Sequence, residues 1–174
     1  MTARDLVTTT EAARAEGVSV VLVEQPYRVA GRRSPAPAKQ LDAAWIAVVE
    51  QLAAGELRGL PLIAGGRSSG ARVACRTADA TGAVAVVCLA FPLQPPRAGS
   101  PSRLAELDAV RVPVLVVQGE RDPFGIPPPA PRRVVVRVTG DHSLRTDLPA
   151  VAAAVRGWLL DVIAAGTARA PSAR

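Results

Sequence analysis

The sequence predicts an α/β fold with a mainly parallel sheet of about five strands, and three observations point there. Short β-branched runs alternate with longer Ala-rich stretches of helical period, the order expected of βαβ units. Each short run is almost continuously apolar, as in strands covered on both faces. With 174 residues, 49% of them hydrophobic, the chain can bury one full core without disulfides or a metal.

The elements follow in order. A helix over Arg4–Ala15 leads to a strand over Val18–Val23. A helix over Lys39–Ala54 precedes a strand over Leu60–Ala64, and a helix over Ser69–Ala78 precedes a strand over Ala83–Leu89. From Phe91 to Arg103, Pro92, Pro95, Pro96, Gly99 and Pro101 impose a loop, with at most a short helix after it that ends near Asp108. A fourth strand covers Val114–Gln118 and a fifth Val134–Val138. The connection between them carries Pro123, Pro127, Pro128, Pro129 and Pro131, so it holds no useful helix and the crossover is irregular. The last helix covers Leu148–Ala164, with Pro149 in its first turn, where a missing N–H is tolerated. Residues 1–164 therefore read as one domain, and the small, polar 165–174 as a disordered tail.

Composition excludes several classes. A mean hydropathy of +0.21 with 21% charged residues lies far from the corner occupied by disordered chains. The longest uninterrupted apolar stretch, near Ala83–Leu93, contains Pro92 and falls short of the roughly 18 residues a membrane span needs, so none is expected. The net charge of +6 invites a nucleic-acid reading, but two Trp, one Tyr and two Phe offer few platforms for bases, and the cations are spread thinly. Cys75 and Cys88 fall inside a helix and a strand, where a free Cys acts as a small apolar residue rather than part of a disulfide framework. The N-terminal residues lack the apolar core of a secretory leader, and the cytoplasm is the expected compartment.

The chemistry is concentrated after the strands. Gly66-Arg67-Ser68-Ser69-Gly70 follows a strand and opens a helix, the setting in which G-x-S-x-G forms a nucleophile elbow with Ser68 at its apex. A side chain at Gly66 or Gly70 is expected to collide with the neighbouring strand or helix, and the serine backbone to be strained. The plain alternative is a tight loop in which Ser68 or Ser69 caps the helix. A serine needs a base at neutral pH, and His142 is the only histidine. It follows the fifth strand in Gly140-Asp141-His142-Ser143, so a parallel sheet delivers it to the same carboxyl edge as the elbow. The plain alternative there is a surface or capping histidine. Asp122, just after the fourth strand, is the expected orienting acid; Asp141 reads as a turn residue, and Glu120 lies two residues nearer the strand.

The chain order Ser, Asp, His is that of α/β-hydrolases, and several segments together carry a closer likeness. Pro26-Tyr27-Arg28 with Gly31-Arg32-Arg33, Gly65-Gly66-Arg67-Ser68-Ser69-Gly70-Ala71-Arg72, Phe91-Pro92-Leu93, Gln118-Gly119-Glu120-Arg121-Asp122-Pro123-Phe124-Gly125 and Gly140-Asp141-His142-Ser143 span about Asp5 to Ile163. In these the sequence resembles small serine-type α/β-hydrolases related to dienelactone hydrolase, a family that includes the hydrolase-like domain of an animal chromatin-complex subunit and a testis-expressed protein. The resemblance implies a three-layer sandwich with Ser68 as nucleophile, Asp122 as orienting acid and His142 as base. Members of that family begin with a further strand ending in a His-Gly-x-Gly loop, which this sequence lacks. That loop supplies one of two backbone donors to the oxyanion hole, the other being the N–H of Ser69. Losing one such donor costs on the order of 100- to 1,000-fold in rate. An N-terminally truncated form is therefore expected, in which Val18–Val23 and Leu60–Ala64 either pair directly or leave a gap. Its exposed strand edges are expected to promote dimerisation or aggregation.

Arg28, Arg32, Arg33 and Arg67 fall in or beside loops at the carboxyl edge. Arg28 and Arg67 are candidates for binding an anionic substrate; the alternative is loop-bracing ion pairs with residues such as Glu24, Asp42 and Glu50. The Phe91–Arg103 loop is either a lid or an ordinary surface loop. The sequence thus predicts a serine hydrolase acting on a small ester or acyl substrate, with no metal, cofactor or nucleic-acid partner. The competing expectation is a hydrolase-like interaction or scaffold protein whose residual triad does no chemistry.

Overall fold

A computed structural model of the chain describes residues 3–95, 97 and 99–169. Four strands, β1 (Ile63–Arg67), β2 (Ala85–Leu89), β3 (Val114–Gly119) and β4 (Arg133–Val138), form one all-parallel sheet in sequence order. The helices are α1 (Arg4–Ala15), α2 (Pro26–Val29), α3 (Ala38–Ala54), α4 (Ser69–Thr77), α5 (Leu104–Asp108) and α6 (Leu148–Arg169).

Period-two alternation divides the core into two layers. Val87 and Leu89 of β2 and Leu115 and Val117 of β3 point to one face, where Ala12 and Ala13 of α1 and Val151, Val155, Trp158 and Leu159 of α6 cover them. Val86, Cys88, Val114 and Val116 point to the other, beneath Ala71, Ala74 and Cys75 of α4 and Leu107 of α5. Both central strands are buried along their whole length, which is why they read as unbroken apolar runs. The three-layer α/β sandwich is as expected.

The first of the five expected strands, Val18–Val23, is absent among the described residues. Residues 18–23 belong to no strand and no ladder joins them to β1, whose only strand partner among the described residues is β2. A β-branched pattern alone does not make a strand; cross-strand hydrogen bonds and packing do. Val21 and Leu22 are accordingly each 45% exposed. β1 also starts three residues later than expected. Pro61 has no N–H to give a ladder, whereas the Gly65-Gly66 stretch that looks like loop continues the strand directly into the elbow.

The proline-rich connection from β3 to β4 is irregular, as expected, and Arg133 holds it together. Its buried guanidinium donates to Pro128 O at 2.8 Å and pairs with Asp108 at 2.9 Å, while Arg133 N donates to Ala130 O at 2.9 Å. The last helix continues through Arg169, past the point where a tail was expected to begin at Ala165; residues 170–174 lie outside the described residues. By length and composition, its Leu148–Gly166 segment could cross a membrane, a feature hidden from a search for unbroken apolar runs by Pro149, Arg156 and Asp161. Here Val151, Val155, Trp158 and Leu159 lie along one stripe and pack on the sheet.

Candidate active site

β1 passes into α4 through a single strained residue. Ser68 has φ 52° and ψ −111°, a conformation that L side chains seldom adopt. Its N–H donates to Leu89 O at 2.9 Å, and its carbonyl accepts from Arg72 N at 3.3 Å as α4 begins. Gly66 is required by contact: a Cβ there would lie 2.4 Å from the Gly70 carbonyl carbon. The matching expectation for Gly70 is wrong. A Cβ on Gly70 would meet nothing within 4 Å, because it projects away from the turn that its backbone crowds. Nor does Ser68 cap the helix through its side chain. Ser69 opens α4, and its N–H, in the first helical turn, lacks a carbonyl partner four residues back.

The Ser68 hydroxyl instead meets the histidine. Ser68 Oγ lies 2.9 Å from His142 Nε2, and His142 Nδ1 lies 2.8 Å from Asp122 Oδ2. A carboxylate only accepts, so Nδ1 carries the proton and Nε2 is left to accept from the serine hydroxyl. The Asp122 side chain has no exposed surface, and the His142 side chain is 20% exposed. Three residues from the connections after β1, β3 and β4 thus converge at the carboxyl edge of the sheet.

Several contacts hold this arrangement. Asp122 Oδ1 accepts from Phe124 N at 2.9 Å, and Oδ2 also accepts from Gln118 Nε2 at 2.7 Å. The Phe124 ring meets the His142 ring edge-on, with centroids 4.6 Å apart. The Asp122 and His142 loops are stitched by Glu120 N to Val138 O and Arg121 N to Gly140 O, both 2.9 Å. Gly119 permits that approach, since a Cβ there would fall 2.3 Å from Asp141 O. Asp141 is a turn residue, as read from the sequence. It accepts from the Ser143 hydroxyl at 2.6 Å and from Ser143 N at 2.8 Å, and these bonds hold its carboxyl below the usual carboxylate range. Glu120 is exposed at the rim.

The arginines around the elbow take up protein partners, Asp42 among them as expected. Arg67 reaches Asp5 at 2.7 Å and the His142 carbonyl at 2.9 Å. Arg72 makes a two-pronged pair with Glu106, and Arg76 pairs with Asp42, with Glu106 3.3 Å away. Of Glu24, Asp42 and Glu50, only Asp42 meets an arginine of α4 among the described residues. Arg28 is exposed, its guanidinium 5.9 Å from the centre of the Tyr27 ring; Arg32 and Arg33 are exposed too. Beyond β2, Phe91, Pro92 and Leu93 are buried, and Gln94 N donates to Phe124 O at 2.8 Å. The Phe91–Arg103 loop therefore begins as a wall under the Asp122 loop. An open groove of about 540 Å3, lined by Asp42, Arg76 and Glu106 among others, lies between α3, α4 and α5 and touches none of Ser68, Asp122 and His142.

Known proteins supply the family. Residues 1–148 match the alpha/beta hydrolase domain family. The chain belongs to that family. No curated protein matches this alpha/beta hydrolase domain in sequence. Among solved structures, a serine hydrolase described as lacking a lid, from Xanthomonas campestris, superposes with a TM-score of 0.74 at 20% identity, covering 92% of this chain and 74% of the other. An alpha-beta serine hydrolase homologue from Coxiella burnetii gives 0.65 at 14% identity, covering 91% and 77%. Alpha/beta hydrolase domain-containing protein 10 from mouse gives 0.60 at 13%, covering 91% and 84%. At these identities the likeness is one of fold.

Sequence reading missed two residues of this alpha/beta hydrolase domain that support the site. Asp5 is 1% exposed although it lies in the first turn of an N-terminal helix, where acids are ordinarily solvated. Gln118 is fully buried at the end of β3. A polar side chain inside an otherwise apolar strand, directly before the Asp122 loop, was the available signal for it.

Proposed function

We propose that this alpha/beta hydrolase domain is a serine hydrolase that cleaves a small ester or related acyl substrate. The observation that carries the reading is the chain of two hydrogen bonds from Ser68 Oγ through the imidazole of His142 to Asp122, at 2.9 and 2.8 Å. The sequence resemblance to serine-type relatives of dienelactone hydrolase supports the same roles.

His142 Nε2 takes the hydroxyl proton as Ser68 Oγ attacks the substrate carbonyl carbon. The imidazolium so formed is stabilised by the Asp122 carboxylate at Nδ1, and the Ser69 N–H donates to the developing oxyanion. His142 returns the proton to the departing alcohol, leaving an acyl-serine. Water, deprotonated by the same nitrogen, then releases the acid and restores Ser68.

A fluorophosphonate probe tests this. It is expected to label Ser68 in the folded chain, with the label lost in Ser68→Ala and sharply slowed in His142→Ala. Equal labelling of Ser68→Ala would move the nucleophile to Ser69 or to non-specific sites. An unlabelled, folded wild-type chain would favour a hydrolase-like interaction protein.

A further inference from the structure

The guanidinium of Arg67 ties the candidate base to the peptide that carries the candidate nucleophile. Arg67 is the last residue of β1, directly ahead of Ser68, and its Nη2 donates to the His142 carbonyl at 2.9 Å. Its Nε lies 2.7 Å from Asp5 Oδ2 in an ion-pair contact that is not an aligned hydrogen bond. We propose that Arg67, oriented by the buried Asp5, is a positioning residue that fixes the His142 backbone against Ser68. The proposal rests on the hydrolase reading above.

The two contacts do different work. Ring hydrogen bonds to Ser68 and Asp122 set the orientation of the imidazole, but they do not fix the Cα from which it hangs. The bond to the His142 carbonyl does, and it runs through one residue to Ser68. Misplacement of a catalytic group by about 1 Å can cost 100-fold in rate. Asp5 holds the guanidinium in that pose. The pair links α1, which packs against α6 on one face of the sheet, to the elbow and the His142 loop. A substrate anion would have to compete with Asp5 or the His142 carbonyl for two of the three guanidinium nitrogens.

The test compares Arg67→Met, Arg67→Lys, Asp5→Asn and the double variant Asp5→Asn/Arg67→Met in the full chain, on a neutral ester (4-nitrophenyl acetate) and an anionic one (its succinate analogue). The positioning role predicts a fall in kcat of about 10- to 100-fold for Arg67→Met on both esters with KM nearly unchanged, and partial recovery in Arg67→Lys. The double variant leaves no unpaired buried carboxylate, so it guards against a loss that is merely unfolding; it is expected to fold and to show the same fall. A rise in KM confined to the anionic ester, with kcat intact, would make Arg67 a substrate contact and overturn the proposal. A second readout needs no turnover. His142 is the only histidine, so its ring resonances assign themselves; the low-field Nδ1 proton is expected to shift or broaden in Arg67→Met and in the double variant. If the wild-type chain neither turns over esters nor takes the probe, the hydrolase reading fails, whereas unchanged ring resonances in both variants would overturn the positioning role.

Discussion

Gln118 Nε2 donates to Asp122 Oδ2 at 2.7 Å, the same oxygen that His142 Nδ1 approaches at 2.8 Å. The amide also reaches the carbonyls of Phe91 and Gly125, at 3.1 and 2.9 Å, and so joins the wall after β2 to the loop after β3. Its own Oε1 is buried without a partner among the described residues.

Activity and stability are expected to separate at this position. A hydrogen bond to a charged group is worth about 1.5 to 3 kcal/mol, so Gln118→Leu should lower kcat/KM by roughly 10- to 100-fold. The same change removes the orphaned buried oxygen, and Tm should fall little or rise. Steady-state kinetics beside a thermal melt checks both. A parallel collapse of the two would show that the amide serves the fold alone.

The two elbow glycines should respond oppositely. Gly66→Ala forces a Cβ to within 2.4 Å of backbone that cannot yield cheaply, a cost of about 1 to 3 kcal/mol or more. Gly70→Ala meets open space near the start of α4 and should gain up to about 1 kcal/mol from helix propensity. Denaturant melts of the two variants give the comparison directly.

Alkaline pH should weaken the fold through Cys88. Its thiol lies 3.4 Å from that of Cys75; that contact first, and burial second, raise its pKa well above the ordinary value. The folded state therefore holds a proton that the unfolded chain releases. This contribution is complete below the unfolded pKa, near 9, and is lost as pH rises towards the folded pKa, at about 1.4 kcal/mol per pH unit. Urea midpoints from pH 8 to 10.5 should fall for the wild-type chain and flatten in Cys88→Ala.

The outer edge of β1 should make the chain associate with itself. No strand covers that edge among the described residues, and Leu60 beside it is 56% exposed. Unpaired backbone on an open edge is a template for another chain. Light scattering coupled to size exclusion over a concentration series should show mass rising with concentration; a constant monomer mass would mean that the edge is protected.

Legibility from sequence followed the range of the forces involved. Helix α1 was placed residue for residue, and three of the four strands to within two residues at each end, because period and apolar continuity are local signals. Ser68, Asp122 and His142 were legible because a parallel sheet sends every strand-end loop to one edge. Residues 18–23 misled for the converse reason: they carry strand composition, but a strand exists only where a neighbour bonds to it. Gly66 and Gly70 look equivalent in the motif and differ only in which backbone each faces. Asp5 and Arg67 meet across the α1-covered side of the sheet, and no spacing rule connects residues so far apart.

Ser68 and His142 are separated by 74 positions along the chain and by 2.9 Å in space, with β2 and β3 laid down between their loops. Closing so long a loop is entropically costly until the intervening strands are in register. Ser68 and His142 are therefore expected to meet only once β4 has docked, at the end of assembly rather than at its beginning. During refolding, helical signal should return before the serine becomes reactive, and the lag between them is a clock for the docking of the last strand.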